Sequence, residues 1–356
     1  MKLILTGDIS LSSIDIKSFA IDKKILDVFA NSDVVFGNQE NPVTSETKRN
    51  GSLVVNLKSG KDSIDILKNF DVLSLCNNHI FDYGEKGMSD TINYLKLNNI
   101  ACYGTGKNIK EAVKPYFDHK NKLCFFSATR WFNAKKNKAG TASFKAIEKE
   151  FNKFKKDGYF NIYTPHWGYE YITTPPPDVR RHAKKMIDIG VDLIAGTHPH
   201  ILQGFEKYKD KYIFYSLGNL IFHDKHMKPR QNKELIDKTV ILILNITDNK
   251  VDKADFLPVN ITNSGLSEAG DQFNAKDLLD KLSSPLLRPY KEYLKIYYDS
   301  TLISSKQNDG VRARLIKEKK GADRIKSLYL NIKQATVQDI FNKFYALFFY
   351  RIMNKL

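Results

Sequence analysis

The stretch VDLIAGTHPH runs from Val191 to His200. Its apolar first half reads as a buried strand, and Gly196 ends it. Two of the chain's eight histidines follow at once, with only Pro199 between them. A single histidine beside an apolar run is usually a packed core residue. A pair shifts the balance, because neutral imidazole is the commonest side-chain metal ligand and buried ring nitrogens need partners. Proline fixes the backbone here, so His198 and His200 are expected to project from a stiff, extended turn.

Outward from this stretch, the same kind of ending recurs. KLILTGD ends at Asp8, DVVFGNQE at Asn38 and Glu40, DVLSLCNNH at Asn77, Asn78 and His79, and YFNIYTPHWG beside His166. Between these runs the periodicity predicts helices near 15–31, 61–69, 85–98, 143–157 and 178–189, with short strands at 100–103 and 123–128. Three β-rich runs, YIFYSLGNLIF, TVILILNIT and KADFLPV, come later. Strands alternating with helices predict a largely parallel sheet covered by helices, and the later β run predicts a mixed or second sheet.

In such sheets the carboxyl ends of the strands form the ligand crevice. Taken singly, Asp8 could cap a turn, Asn77 and Asn78 could be turn residues, and His166 could pack against Trp167. Five strands ending this way by accident is a far weaker explanation. Two carboxylates, an amide oxygen and three imidazoles, with no thiolate, suit Mn, Fe or Zn better than Mg. Two such ions would sit about 3.5–4 Å apart and clamp both oxygens of an in-line displacement, with Glu40 as the bridging carboxylate.

The series Gly7-Asp8, Asn38-x-Glu40, Asn77-Asn78-His79-x-x-Asp82-Tyr83-Gly84, His166-Trp167-Gly168-x-Glu170 and His198-Pro199-His200 resembles the CapA family. That family is the poly-γ-glutamate and capsule biosynthesis group, related to calcineurin-like metallophosphoesterases. YSLGNLIF at 215–222 is similar to its pattern too, and the resemblance covers about residues 1–260. It implies a four-layer α/β/β/α metallophosphoesterase-like sandwich over 1–262, followed by a mostly helical extension over 263–356. It implies one metal on Asp8, Glu40 and His200, a second on Glu40, Asn78, His166 and His198, and His79 as the general acid. Ser10 stands where the wider phosphoesterase pattern has a histidine, and GNQE stands where it has a bridging aspartate. The first site therefore keeps His200 as its single imidazole and is expected to be the weaker one.

Asn38 and Asn77 are further candidates for substrate contact. Arg180 and Arg181, in TTPPPDVRRH, could reach a phosphate or carboxylate, or could form a solvated helix turn. Trp167, with Tyr169 and Tyr171, could line the substrate or pack in the core. Glu170 could orient His166 or lie exposed. His223 and His226 could line the crevice mouth, although a surface loop is the plainer reading.

Composition limits the setting. An apolar share of 42% supports a sizeable core, and 356 residues suit one large domain with an appendage, or two domains. Cys76, Cys102 and Cys124 have no CxxC spacing and read as buried hydrophobes in a reducing compartment, so a cytoplasmic location is expected. The N-terminus turns polar too soon for a secretory signal, and no run of about 18 apolar residues suggests a membrane span. The net charge is +16, and residues 281–356 carry 16 Lys and Arg against 6 Asp and Glu. This basic end predicts an anionic partner or a solvated face. TVQDIFNKFYALFFYRIMNKL (336–356) has helical apolar spacing, which suits packing or peripheral contact with the inner face of an anionic membrane. The expected function is metal-dependent hydrolysis of an anionic or phosphorylated substrate in capsule or surface-polysaccharide biosynthesis. The rival is a non-hydrolytic assembly factor that binds an anionic polymer or its synthase. Nucleic acid is the weakest candidate, because the surplus charge lies far in sequence from the ligand blocks.

Overall fold

A computed structural model describes residues 1–50, 55–222, 232–262, 264–270 and 273–301. The strand Lys2–Ser10 lies inside the larger sheet. On one side it pairs in parallel with Val34–Gln39, then Val72–Ser74 and Ala101–Tyr103. On the other it pairs antiparallel with Lys238–Thr247, followed by Lys250–Thr262 and Gly265–Glu268. Asn219–Phe222 joins the far end of Lys2–Ser10 in parallel, with Asp8 opposite Asn219. The second sheet runs Phe205–Tyr208, Lys211–Phe214, Leu193–Ala195, Phe160–Tyr163, Leu123–Phe126, Tyr116–Asp118, with its four central strands parallel.

Strand alternation explains how the layers stack. Successive side chains point to opposite faces, so a strand buried on both sides must be apolar throughout. Leu3 and Leu5 enter the core between the sheets with Phe36, Phe125, Ile162, Leu193 and Phe214. The rings of Phe36 and Phe125, one from each sheet, stack with centroids 5.9 Å apart. Ile4 points the other way, into the layer holding Ile25, Phe29, Met88 and Leu95. The second sheet does the same with Phe126, Tyr163 and Ile194 against Phe151, Ala183 and Met186. The result is the four-layer α/β/β/α sandwich that the family resemblance implies, each buried Leu, Ile or Phe contributing about 1.5–3 kcal/mol.

The helices match the predicted periodicity with shorter ends. The first is Lys23–Ala30, preceded by the short strand Ala20–Ile21. Gly84–Leu97 and Phe144–Phe154 follow, the latter capped by Ser143, whose side chain accepts from the Ala146 N–H. Pro177–Asp188 starts with proline in its first turn, where a missing N–H costs nothing. Beyond residue 263, the helix Ala275–Ser283 sets Leu279 and Leu282 against Leu202 and Val240. A helix over 290–301 buries Tyr293 beside Leu286. Among the described residues no helix is long and apolar enough to cross a membrane. The expected helix at 336–356, and His223 and His226, lie outside the described residues.

Candidate metal centre

The parallel strands of both sheets end along one rim, and the chemistry-bearing residues gather there. The bridges Thr129–His166 and His166–Thr197 extend the second sheet's ladder one step past its strands. Asp8 closes the first strand at a point where the backbones nearly touch. A Cβ on Gly7 would lie 2.0 Å from the Gly218 carbonyl oxygen, so only glycine fits, and that same oxygen accepts the Asp8 N–H.

The sheets are joined through side chains at this rim. Asp8 Oδ1 accepts from Asn38 Nδ2 at 2.8 Å, and Asp8 Oδ2 accepts the backbone N–H of His198 at 2.9 Å. His166 Nε2 lies 2.8 Å from Asn78 Oδ1 and 3.2 Å from Glu40 Oε1. Its Nδ1 is 3.0 Å from Thr197 Oγ1, a partner of the kind that fixes a ligand imidazole's orientation. His200 Nδ1 is held by Asn219 Oδ1 at 2.9 Å. Ligand atoms of Asp8, Glu40 and His200 lie within 4.8 Å of one another, as do those of Glu40, His166 and His198. Glu170 forms a third such group with His198 and His200.

The turn that presents the two histidines is not extended. His198 has φ 96° and His200 φ 60°, both in the left-handed region that non-glycine residues rarely enter. Each such residue costs about 1–3 kcal/mol and persists only where its surroundings dictate it. Here the bond from the His198 N–H to Asp8 and the His200 bond to Asn219 supply that constraint. Proline does stiffen the turn, but the backbone curls so that both rings face the rim.

Electrostatics point to a cation. Asp8, Glu40 and His166 are fully buried, with His198 and His200 nearly so. Burial, then the charges of Asp8, Glu170 and Asp82, push the Glu40 carboxyl well above its ordinary range. Burial, then the neighbouring histidines and Arg130, hold His166 and His198 well below theirs, so both rings are neutral and fit to ligate. Both Glu40 oxygens, Asn38 Oδ1 and His198 Nδ1 are buried without a hydrogen-bond partner. Native proteins rarely leave such atoms unpaired. Crowded carboxylates beside neutral imidazoles fit one or two divalent ions held by oxygen and nitrogen donors.

His79 stands beside this cluster, not within it. Its Nδ1 donates to Asp82 Oδ2 at 2.8 Å, and its side chain is 13% exposed. Asp82 is fully buried and also accepts the Leu57 N–H. Burial raises its carboxyl, with His79 working against that rise.

Several expected substrate contacts are instead engaged in the fold. Asn77 Oδ1 accepts the N–H groups of His79 and Ile80, and its amide donates to Gln39 O. Trp167 is buried, with Nε1 donating to Tyr215 O. Arg180 forms a two-pronged pair with Glu206 at 2.9 and 2.7 Å, and Arg181 is exposed. Asn38 remains at the rim. Trp131 was not foreseen: its ring lies 4.4 Å from that of His198 and 5.8 Å from that of His166.

The family model described as bacterial capsule synthesis protein PGA_cap matches residues 2–224. The chain belongs to that family. The capsule biosynthesis protein CapA of Bacillus anthracis is 33% identical over 248 residues, covering 65% of this chain and 59% of that protein. The PGA biosynthesis protein CapA of Bacillus subtilis is 35% identical over 217 residues, covering 58% of this chain and 57% of that protein. The chain thus spans less than two thirds of the length of these PGA_cap relatives. A solved phosphatase of Mycoplasma pneumoniae shares 12% identity at a TM-score of 0.45, covering 78% of this chain and 98% of that one. The PGA_cap match includes every residue gathered at the rim and stops short of the helices after residue 273.

Proposed function

We propose that this chain is a metal-dependent hydrolase of phosphoesterase type, acting on an anionic substrate in the making of a capsule or surface polymer. The observation that supports this most is Glu40: a fully buried carboxylate with neither oxygen hydrogen-bonded, shared by two groups of potential ligands. Asp8, Glu40 and His200 would hold one ion, and Glu40, Asn78, His166 and His198 a second. Bound there, a divalent ion supplies Lewis-acid polarisation of an ester oxygen and lowers the pKa of water. With Ser10 in place of an imidazole, the first group rests on three side chains and is the weaker site. Asn38 fixes the Asp8 carboxylate, and Thr197 and Asn219 fix two of the rings. Asp82 holds His79 by Nδ1, so Nε2 is the ring atom that would hand a proton to the leaving oxygen.

The rival reading, a non-hydrolytic assembly factor, has no use for a histidine held by a buried aspartate at the rim. We extend the proposal to setting. Free Cys76, Cys102 and Cys124 accord with a reducing, cytoplasmic compartment. The basic stretch 281–356 would meet an anionic surface, which salt-dependent sedimentation with anionic vesicles tests. Elemental analysis followed by a panel of nitrophenyl phosphate mono- and diesters tests the activity. Protein that takes up neither Mn nor Zn overturns the metal reading. Metal-loaded protein inert on the whole panel favours the assembly factor.

A further inference from the structure

Asp8, Glu40 and His200 are buried, whereas Glu170 is only partly so and stands on the side of the centre that faces solvent. One ligand atom from each of Glu170, His198 and His200 lies within 4.8 Å of the other two. Two donors, each about 2.0–2.2 Å from one ion, lie at most roughly 4.4 Å apart, so a small turn of the flexible glutamate closes the difference. His198 is 3% exposed, and its Nδ1 is buried without a hydrogen-bond partner beside this carboxylate.

The loop that carries Glu170 is tied down. The N–H of the next residue, Tyr171, donates to Pro199 O at 2.8 Å, which fixes the loop to the turn between the two histidines. Gln203 Nε2 donates to Ile172 O at 2.7 Å, and Tyr293 Oη donates to Pro175 O at 2.7 Å. Tyr297 packs against Ile172. Glu170 is thus held in register with His198 and His200, as a ligand must be. Its charge reaches the centre: after burial and Asp8, it is the next cause that pushes the Glu40 carboxyl up. Charge balance points the same way. Asp8 and Glu40 offset only half the charge of two divalent ions, and buried charge is costly unless paired. Glu40, Asn78, His166 and His198 would surround one ion, but Asp8, Glu40 and His200 leave the other a side chain short.

We infer that Glu170 is a metal ligand of this centre, the fourth side chain on the divalent ion held by Asp8, Glu40 and His200. The inference rests on the rim being a metal centre, and the test separates the two. Calorimetric titration of Mn and Zn into the chelator-stripped full chain compares wild type with Glu170→Gln, Glu170→Asp and Glu170→Ala. Glu170→Gln should weaken the weaker binding step by about 10- to 100-fold while leaving the tighter step and the metal-free Tm unchanged. Glu170→Asp keeps the carboxylate on a shorter stem and should recover part of the loss. Glu170→Ala answers the same question if Glu170→Gln does not fold. A ligand also differs from a remote charge. At about 1 M salt the screening length falls to about 3 Å, so the effect of a remote exposed charge would fade and the loss of a ligand would persist. Equal affinities in wild type, Glu170→Gln and Glu170→Ala, or a loss that such salt removes, overturn the inference and leave the metal reading standing. Wild type that binds neither ion fails the metal reading, and the inference with it. If wild type takes up a single ion, that step is the one compared, and an unchanged affinity overturns the inference.

Discussion

Glu40→Gln is expected to strengthen the metal-free protein and to abolish its response to metal. The wild-type side chain is buried with neither oxygen hydrogen-bonded. An unsatisfied buried group costs about 1–3 kcal/mol, and more when charged. Gln has the same shape and no charge, so its gain should be about 2 kcal/mol, or roughly 3 °C in Tm for a chain of this size. The gain must depend on pH. The folded Glu40 pKa lies above its unfolded value, chiefly through burial, so folding takes up a proton. Stability from this group is fully present below about pH 4.5 and falls as pH rises toward the folded pKa. The advantage of Glu40→Gln over metal-free wild type should therefore widen from pH 4.5 upward. Saturating metal reverses the order. At 100 times its Kd, an ion that binds only the folded state adds about 2.7 kcal/mol. Glu40→Gln, lacking the shared carboxylate, should lose that increment. Differential scanning calorimetry of chelated and Mn- or Zn-loaded protein across pH 4–8 measures both effects. A chelated Glu40→Gln less stable than wild type at pH 7, or one with an undiminished metal shift, would refute the reasoning.

Other outcomes are expected from the same geometry. His79→Ala should lower turnover by about 10²–10⁴-fold with metal content intact, and the loss should shrink for nitrophenol leaving groups. Equal loss for all leaving groups would assign His79 to structure. Arg180→Ala should cost about 3–5 kcal/mol in thermal melts, because it leaves Glu206 buried beside only Lys184 and Tyr215. Burial raises the Glu206 pKa, but the bonds from Arg180 and Tyr215 outweigh it and the net value is lowered. The stability from this pair should thus be present above about pH 4.5 and fade as pH falls further, and a melt flat across pH 3–5 would count against it. Gly7→Ala should displace Asp8 from the rim, lowering metal content as well as Tm, since its Cβ would collide with backbone and not with a movable side chain.

What could be read from the sequence was what repeats. Asp8, Glu40, Asn78, His166 and His198 each follow an apolar run, and the run's length and the residue's chemistry are both visible in one dimension. The outer helices were legible through periodicity, although their first turns were not: Pro177, not Asp178, starts the helix after the proline loop. Trp131 left no such signal, because it is not an obvious ligand and its loop follows a strand with no polar ending. Asn219 was hidden inside YSLGNLIF, which reads as one strand although Gly218, at φ 69°, breaks it just before Asn219. Arg180 read as a solvated helix-turn residue or an oxyanion contact because its partner Glu206 lies 26 residues away on a strand whose pairing only the fold reveals.

The bond between Asp8 and the His198 N–H spans 190 residues. A ribosome adding about 5–20 residues per second needs roughly 10–40 s to supply the second partner after the first. Throughout that interval Lys2–Ser10, with the apolar run Leu3, Ile4 and Leu5, has only Val34–Gln39 available of its eventual neighbours, since Lys238–Thr247 emerges later still. Its other edge is an unpaired template of the kind that recruits foreign strands. The residues that assemble the reaction centre are thus also the ones that delay it. Overproduction of this chain should be limited by how long that first strand waits during synthesis, and slower translation of residues 40–238 should lower the soluble yield.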